Sequence, residues 1–164
     1  MLDEIDIQIL EIIQQSGRIN NTDIARQVGM APSATLERTR KLEKRGVIQG
    51  YEARLNPCQL DLKLLAYVFV RTDETLHDDP TGQALAMIPE VQEVHHVAGE
   101  DCYLVKVRTS SPASLGRLLR HTFGAIPSVV STRSTIVLET LKEVSHLPLR
   151  PSASRGGGSE NDQD

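Results

Sequence analysis

Apolar positions in the first 55 residues recur at helical spacing and are broken by short stops. Ile5, Ile9, Ile12 and Ile13 fall on one side of a helix expected over 3–15, and Gly17 stops it. A second helix is expected from Asn21 or Thr22, with Asp23 in its first turn and Ile24, Ala25 and Val28 before Gly29. A third runs from Pro32-Ser33 to Arg45 and ends at Gly46. Ala25 is small where the last two helices must cross, and Ile24, Val28, Met30, Leu36 and Leu42 supply packing. Val47 to Leu55 reads as a short β-hairpin or wing with Gly50 near its turn, and Asn56-Pro57 opens a linker.

The second half changes period. Strands are expected over 64–70, 91–97, 103–109 and 129–141, with helices at 83–88, ended by Pro89, and at 114–123. The order β-α-β-β-α-β is the ferredoxin-like arrangement, so the fold class is α+β. The expected organisation is a helical domain with its wing at 1–55, a linker at 56–63, a second domain at 64–144 and a disordered tail at 145–164, rich in Pro, Gly, Ser and acid. A sheet with helices on one face should alternate apolar and polar residues, but Leu64 to Val70 and Ile136-Val137-Leu138 do not. The helix-free face is therefore expected to be covered by a second copy of the chain; the alternative is central strands with a few exposed apolar residues.

Composition narrows the classes. The 164 residues are 39% hydrophobic and 24% charged with no Trp, three Tyr and two Phe, so a globular core must rest on Leu, Ile and Val. No run approaches the roughly 20 apolar residues that cross a bilayer, and the acidic start Leu2-Asp3-Glu4 is not expected to be a signal peptide. Cys58 and Cys102 match no metal or redox spacing and read as reduced thiols of a cytoplasmic chain. No membrane partner, metal or cofactor is implied. His95 and His96 are adjacent on a strand and point to opposite faces, and His77, His121 and His146 are scattered, which argues against an enzyme.

Charge is segregated. The formal net charge is −4, yet 18–45 holds seven basic and three acidic residues, a local +4, while 71–101 holds one basic and eight acidic, a local −7. The second and third helices have the size and short glycine-containing turn of a helix-turn-helix, and Arg38, Lys41 and Arg45 recur at i, i+3 and i+7. This pattern predicts a double-stranded DNA interface: Ser33, Thr35 and Arg38 for base edges, and Arg40, Lys41, Lys44 and Arg45 mainly for phosphates, with Arg18 adding positive charge. The plainer reading is a solvated helix face paired to Glu37 and Glu43. Other readings are a metabolite-binding module without DNA function, and an architectural DNA-binding protein with weak sequence preference.

From residue 2 to about 143 the chain resembles the Lrp/AsnC (feast/famine) family of transcriptional regulators. The resemblance lies in Leu2-Asp3-x-x-Asp6-x-x-Ile9-Leu10, Gly17-Arg18, Val28-Gly29, Leu36-Glu37-Arg38, Arg40-x-Leu42-Glu43-x-x-Gly46-Val47-Ile48-Gln49-Gly50-Tyr51 and Asn56-Pro57. It continues in His95-His96-Val97-Ala98-Gly99, Tyr103-Leu104 and Thr132-Arg133-Ser134-Thr135. It implies a winged helix-turn-helix followed by a ferredoxin-like, ligand-sensing domain, and homodimers that assemble to tetramers or octamers around an amino-acid effector. The implied effector residues are Gly99, Glu100, Asp101, Cys102, Tyr103, Thr132 and Thr135. Cys102 stands where the family usually has an aspartate, and a neutral thiol holds an ammonium less well than a carboxylate. Either Glu100 or Asp101 takes over, for a different amino acid, or the response is lost; a third reading makes Glu100-Asp101 a solvated turn.

Overall fold

The computed structural model describes residues 2–73 and 80–149. They fall into two compact units, one comprising the chain up to Arg54 and again from Val144, the other Leu55–Glu143. His77 and residues 150–164 of the tail expected at 145–164 lie outside the described residues.

In the first unit, α1 (Glu4–Gln15) begins with a capping box: the Asp3 carboxylate accepts the Asp6 N–H at 2.8 Å, and Asp6 accepts the Asp3 N–H at 3.3 Å. Helix α2 (Asn21–Val28) is capped by Asn20 and ends at Gly29, whose φ of 68° is the left-handed conformation glycine adopts without strain. Helix α3 (Pro32–Lys44) ends in a Schellman motif at Gly46, also at φ 68°. The Gly46 N–H bonds the Glu43 carbonyl at 2.9 Å and the Val47 N–H bonds the Leu42 carbonyl at 2.9 Å. Ile9, Leu10, Ile24, Val28 and Leu42 form the core of this unit. Leu36, expected in the packing, is 37% exposed.

The expected hairpin at Val47 to Leu55 does not form; residues 47–55 carry no strand. Two reasons are visible. The N–H groups of Val47 and Ile48 both go to the Leu42 carbonyl, and Gly50 lacks the positive φ of a tight hairpin turn. The segment is held instead by the Tyr51 hydroxyl, which donates to Glu43 Oε1 at 2.8 Å.

The second unit opens with a 3-10 turn, Pro57–Leu60, and then follows the ferredoxin-like order: β1 (Leu64–Thr72), α4 (Pro80–Ala86), β2 (Val91–His96), β3 (Tyr103–Thr109), α5 (Pro112–His121) and β4 (Val129–Ile136). The strands pair antiparallel in the order β2-β3-β1-β4. Ala66, Val68 and Val70 of β1 and Tyr103, Val105 and Val107 of β3 meet Leu85, Leu115, Leu118 and Phe123 in one core on the helix side. Alternation then sends Leu65, Tyr67 and Phe69 to the helix-free face. On that face Lys106 is only 9% exposed, bonded to Glu93 at 2.9 Å and Glu143 at 2.5 Å, while Arg108 bonds Glu143 at 2.8 Å. Burial opposes the Lys106 charge, but these two carboxylates outweigh it and raise its pKa.

Ser145–Leu149 correct the expectation of a disordered tail in part. They have no regular secondary structure, yet Leu147 is hydrogen-bonded to Gln14 and Leu149 packs against the helical core of the first unit.

Candidate DNA interface and effector loop

Helix α3 has a buried stripe and a charged side. Thr35, Thr39 and Leu42 are 0%, 9% and 1% exposed and turn toward the unit's interior. Thr35, expected at base edges, instead donates its hydroxyl to the Ala31 carbonyl at 3.2 Å and has no route to a groove. Arg38 belongs to the same stripe. Its Nη1 lies 2.6 Å from Asp3 Oδ2 and 2.8 Å from Asp6 Oδ1, so the guanidinium joins α3 to the N-terminus of α1 rather than standing free for a base. The Asp6 N–H and Arg38 together hold the Asp3 carboxyl below its usual pKa, and the two carboxylates raise that of Arg38.

The opposite side remains available. Ser33, Arg40, Lys41, Lys44 and Arg45 are exposed, as is Arg18 in the turn after α1. Among the described residues none of these five cations is in an ion pair, so the plainer reading of a face neutralised by Glu37 and Glu43 does not hold. Glu43 is turned to the Tyr51 hydroxyl; burial first, and then that carboxylate, push the Tyr51 pKa up to about 12.

Two features of the helix pair escaped the sequence reading. The Asn21 side chain donates to the Pro32 carbonyl at 2.7 Å and so fixes the entry to α3. Ala31, the N-cap of α3, offers no side-chain acceptor, which leaves the first-turn N–H groups and the positive end of the helix dipole for a phosphate. The Ala-Pro-Ser start, with no capping residue before the proline, was the available signal.

In the second unit the turn 98–102 is closed by the Val97 N–H on the Cys102 carbonyl at 2.9 Å, with Gly99 at φ 151°. Glu100 is exposed, Asp101 and Cys102 are half-buried, and Tyr103 is 3% exposed with its ring stacked on His96 at 5.1 Å. Asp101 accepts from Arg133 at 2.8 Å, and the Arg133 guanidinium lies 4.1 Å over the Phe69 ring. Arg133 is thus part of the loop's surroundings although it was not among the expected site residues. The expected threonines do not converge: Thr132 faces Val70 and Thr135 faces Tyr67 in register, an odd spacing that places them on opposite faces of the sheet. Among the described residues no helix is long and apolar enough to cross a membrane, and no three His, Cys, Asp or Glu residues are grouped to hold a metal.

A helix-turn-helix with an unpaired basic face, followed by a ferredoxin-like unit, defines a DNA-binding transcription regulator with a ligand-binding second domain. Residues 2–49 match the model of the winged helix-turn-helix DNA-binding family, and residues 65–147 match that of the Lrp/AsnC ligand binding domain. The chain is 40% identical over 151 residues to the leucine-responsive regulatory protein of Haemophilus influenzae, covering 91% of both chains. It is also similar to the crystal structure of a Neisseria meningitidis transcriptional regulator in complex with L-methionine, with a TM-score of 0.85 and 28% identity over 90% of this chain and 97% of that one. A feast or famine regulatory protein from M. tuberculosis, complexed with L-methionine, superposes with a TM-score of 0.83 at 36% identity, covering 90% of this chain and all (100%) of that one. The chain belongs to the Lrp/AsnC family of transcription regulators. These relatives are regulators, not enzymes.

Proposed function

We propose that this regulator works in the cytoplasm as a homodimer, further assembled to a tetramer or octamer, that binds a partly palindromic duplex site. The exposed, unpaired cations along α3 carry the reading. Arg40, Lys41, Lys44 and Arg45, together with Arg18 in the turn after α1, contact phosphates; Ser33 and the uncapped first turn of α3 approach the major groove; and Arg38 sets the angle at which α3 is presented. Two copies present two such helices, so half-sites are separated by whole helical turns. The half-buried Tyr67 and Phe69 on the helix-free face are the surface offered for pairing.

The second unit senses an amino acid at the 99–103 loop. The relatives solved with L-methionine support the ligand class. With Cys102 at the position of the family's aspartate and Asp101 engaged by Arg133, Glu100 is the carboxylate left for an ammonium group. Calorimetry of the full chain against single amino acids tests this: a ligand whose binding is lost in Glu100→Gln supports it, and no binding by any amino acid removes the sensing role. For the DNA reading, fluorescence anisotropy with the operator and a scrambled duplex at rising salt is decisive. A steep salt dependence with preference for the operator is expected; equal affinity for both duplexes would favour an architectural protein instead.

A further inference from the structure

The chain meets α1 again near its C-terminus. Gln14, half-buried in the last turn of α1, accepts the Leu147 N–H on its carboxamide oxygen at 2.7 Å and donates its carboxamide N–H to the Leu147 carbonyl at 3.3 Å. This is the two-point pairing that one strand residue offers another in an antiparallel sheet. Leu149, two residues on and half-buried, packs against the apolar core of the helical unit. Leu147 itself points outward, 69% exposed. The alternation is that of a short extended segment lying along a helix with its backbone and one side chain, although no sequence periodicity announced it.

The preceding anchor makes this contact effective. Glu143 is tied to Lys106 at 2.5 Å and to Arg108 at 2.8 Å, and only Val144, Ser145 and His146 separate it from Leu147. Docking of a segment onto its own chain is an intramolecular event, which needs less contact energy than capture of a separate molecule. Two neutral hydrogen bonds and one apolar contact, each weak alone, then suffice to keep the segment docked and still let it release.

We propose that the flank of α1 carrying Gln14 is a docking surface for the chain's own segment 144–149, a clasp that gives the DNA-binding unit a second tether besides the linker. A unit joined through one flexible segment explores more separations than a unit closed by two. The clasp therefore narrows the range of half-site spacings that an assembly of these chains accepts. That consequence rests on the paired DNA binding proposed above; the docking does not.

The test uses the full chain, with Gln14→Ala to remove both hydrogen bonds and Leu149→Asp to oppose the apolar contact; neither touches the basic side of α3. In amide hydrogen exchange the wild-type Leu147 N–H is expected to exchange roughly tenfold or more slowly than in an unstructured peptide, and to lose that protection in Gln14→Ala. The Ile24 and Leu42 amides, in helices of the same unit, should stay protected in both, as the control for folding. On duplexes whose half-sites are moved apart by half a helical turn, about 5 base pairs, wild type should lose roughly tenfold in affinity and both variants about threefold or less. An unprotected Leu147 amide overturns the docking, as does protection that disappears on dilution, which would make the occupant another copy. Equal spacing penalties in wild type and variants overturn the tether. Protection of Leu147 with no DNA binding at any spacing supports the docking and refutes the DNA reading, so the two failures are distinct.

Discussion

Arg38 Nη1 lies 2.8 Å from Asp6 Oδ1, so a cation of the third helix is paired with the residue that closes the N-terminal cap of the first. Asp6 is 8% exposed, and its carboxylate depends on that partner. Arg38→Ala should cost about 1–2 kcal/mol of stability, since hydrogen bonds between charged groups stabilise by about 1.5–3 kcal/mol and this one is partly screened by solvent. Urea unfolding measures it. Because the residue positions α3, DNA affinity should fall alike for operator and scrambled duplexes; a loss confined to one base pair would return Arg38 to base readout.

The pH dependence has two edges. Asp3 is held below its ordinary value first by the Asp6 N–H and then by Arg38, and Glu93 and Glu143 are lowered mainly by Lys106. A carboxyl lowered on folding stabilises above its unfolded pKa, so this stability is present near neutrality and fades as pH falls below the ordinary values of 3.8 and 4.5. Lys106 and Tyr51 are raised, so their contributions are complete below 10.5 and 10.0 and are lost as pH climbs through the higher folded values. Denaturation midpoints measured from pH 3 to 11 should form a plateau with both shoulders. Tyrosinate absorbance should show a step near 12, and Tyr51→Phe should remove the Tyr51 contribution to it.

Gly29 and Gly46 should respond equally to substitution. Both sit at φ 68°, and a Cβ on either meets no heavy atom within 4 Å, so only backbone strain is added. Alanine at each should cost about 1 kcal/mol. Thermal melts of the two variants check this; a much larger loss at one site would mean a packing contact.

Thr35→Val keeps shape and removes one hydroxyl bonded at 3.2 Å inside the helix pair. It should leave sequence preference unchanged while Ser33→Ala, at the exposed start of α3, alters it. Binding to a panel of single-base operator variants separates the two.

Local features were legible in the sequence. Gly29 and Gly46 as helix stops, Asp3 at a helix start and the strand Tyr103–Thr109 follow from nearest neighbours along the chain. What was misread depends on which side of an element faces the core. Thr35, Arg38 or Thr39, and Leu42 have the i, i+3 or i+4, i+7 spacing of a buried stripe, yet the basic character of Arg38 drew it to the outer face. Its partners, Asp3 and Asp6, lie 35 and 32 residues away, beyond any local pattern. Thr132 and Thr135 could have been separated from their odd spacing alone. The Val47 to Leu55 hairpin failed because α3's C-terminal carbonyls took the donors that a ladder needs.

The basic side of α3 is tested most directly by the slope of log affinity against log salt for operator DNA, in wild type and in Arg40→Ala and Lys44→Ala. Each lost phosphate contact should lower the slope by about 0.9 and weaken operator and scrambled duplexes in proportion. Unchanged affinity and an unchanged slope in both variants would contradict the account.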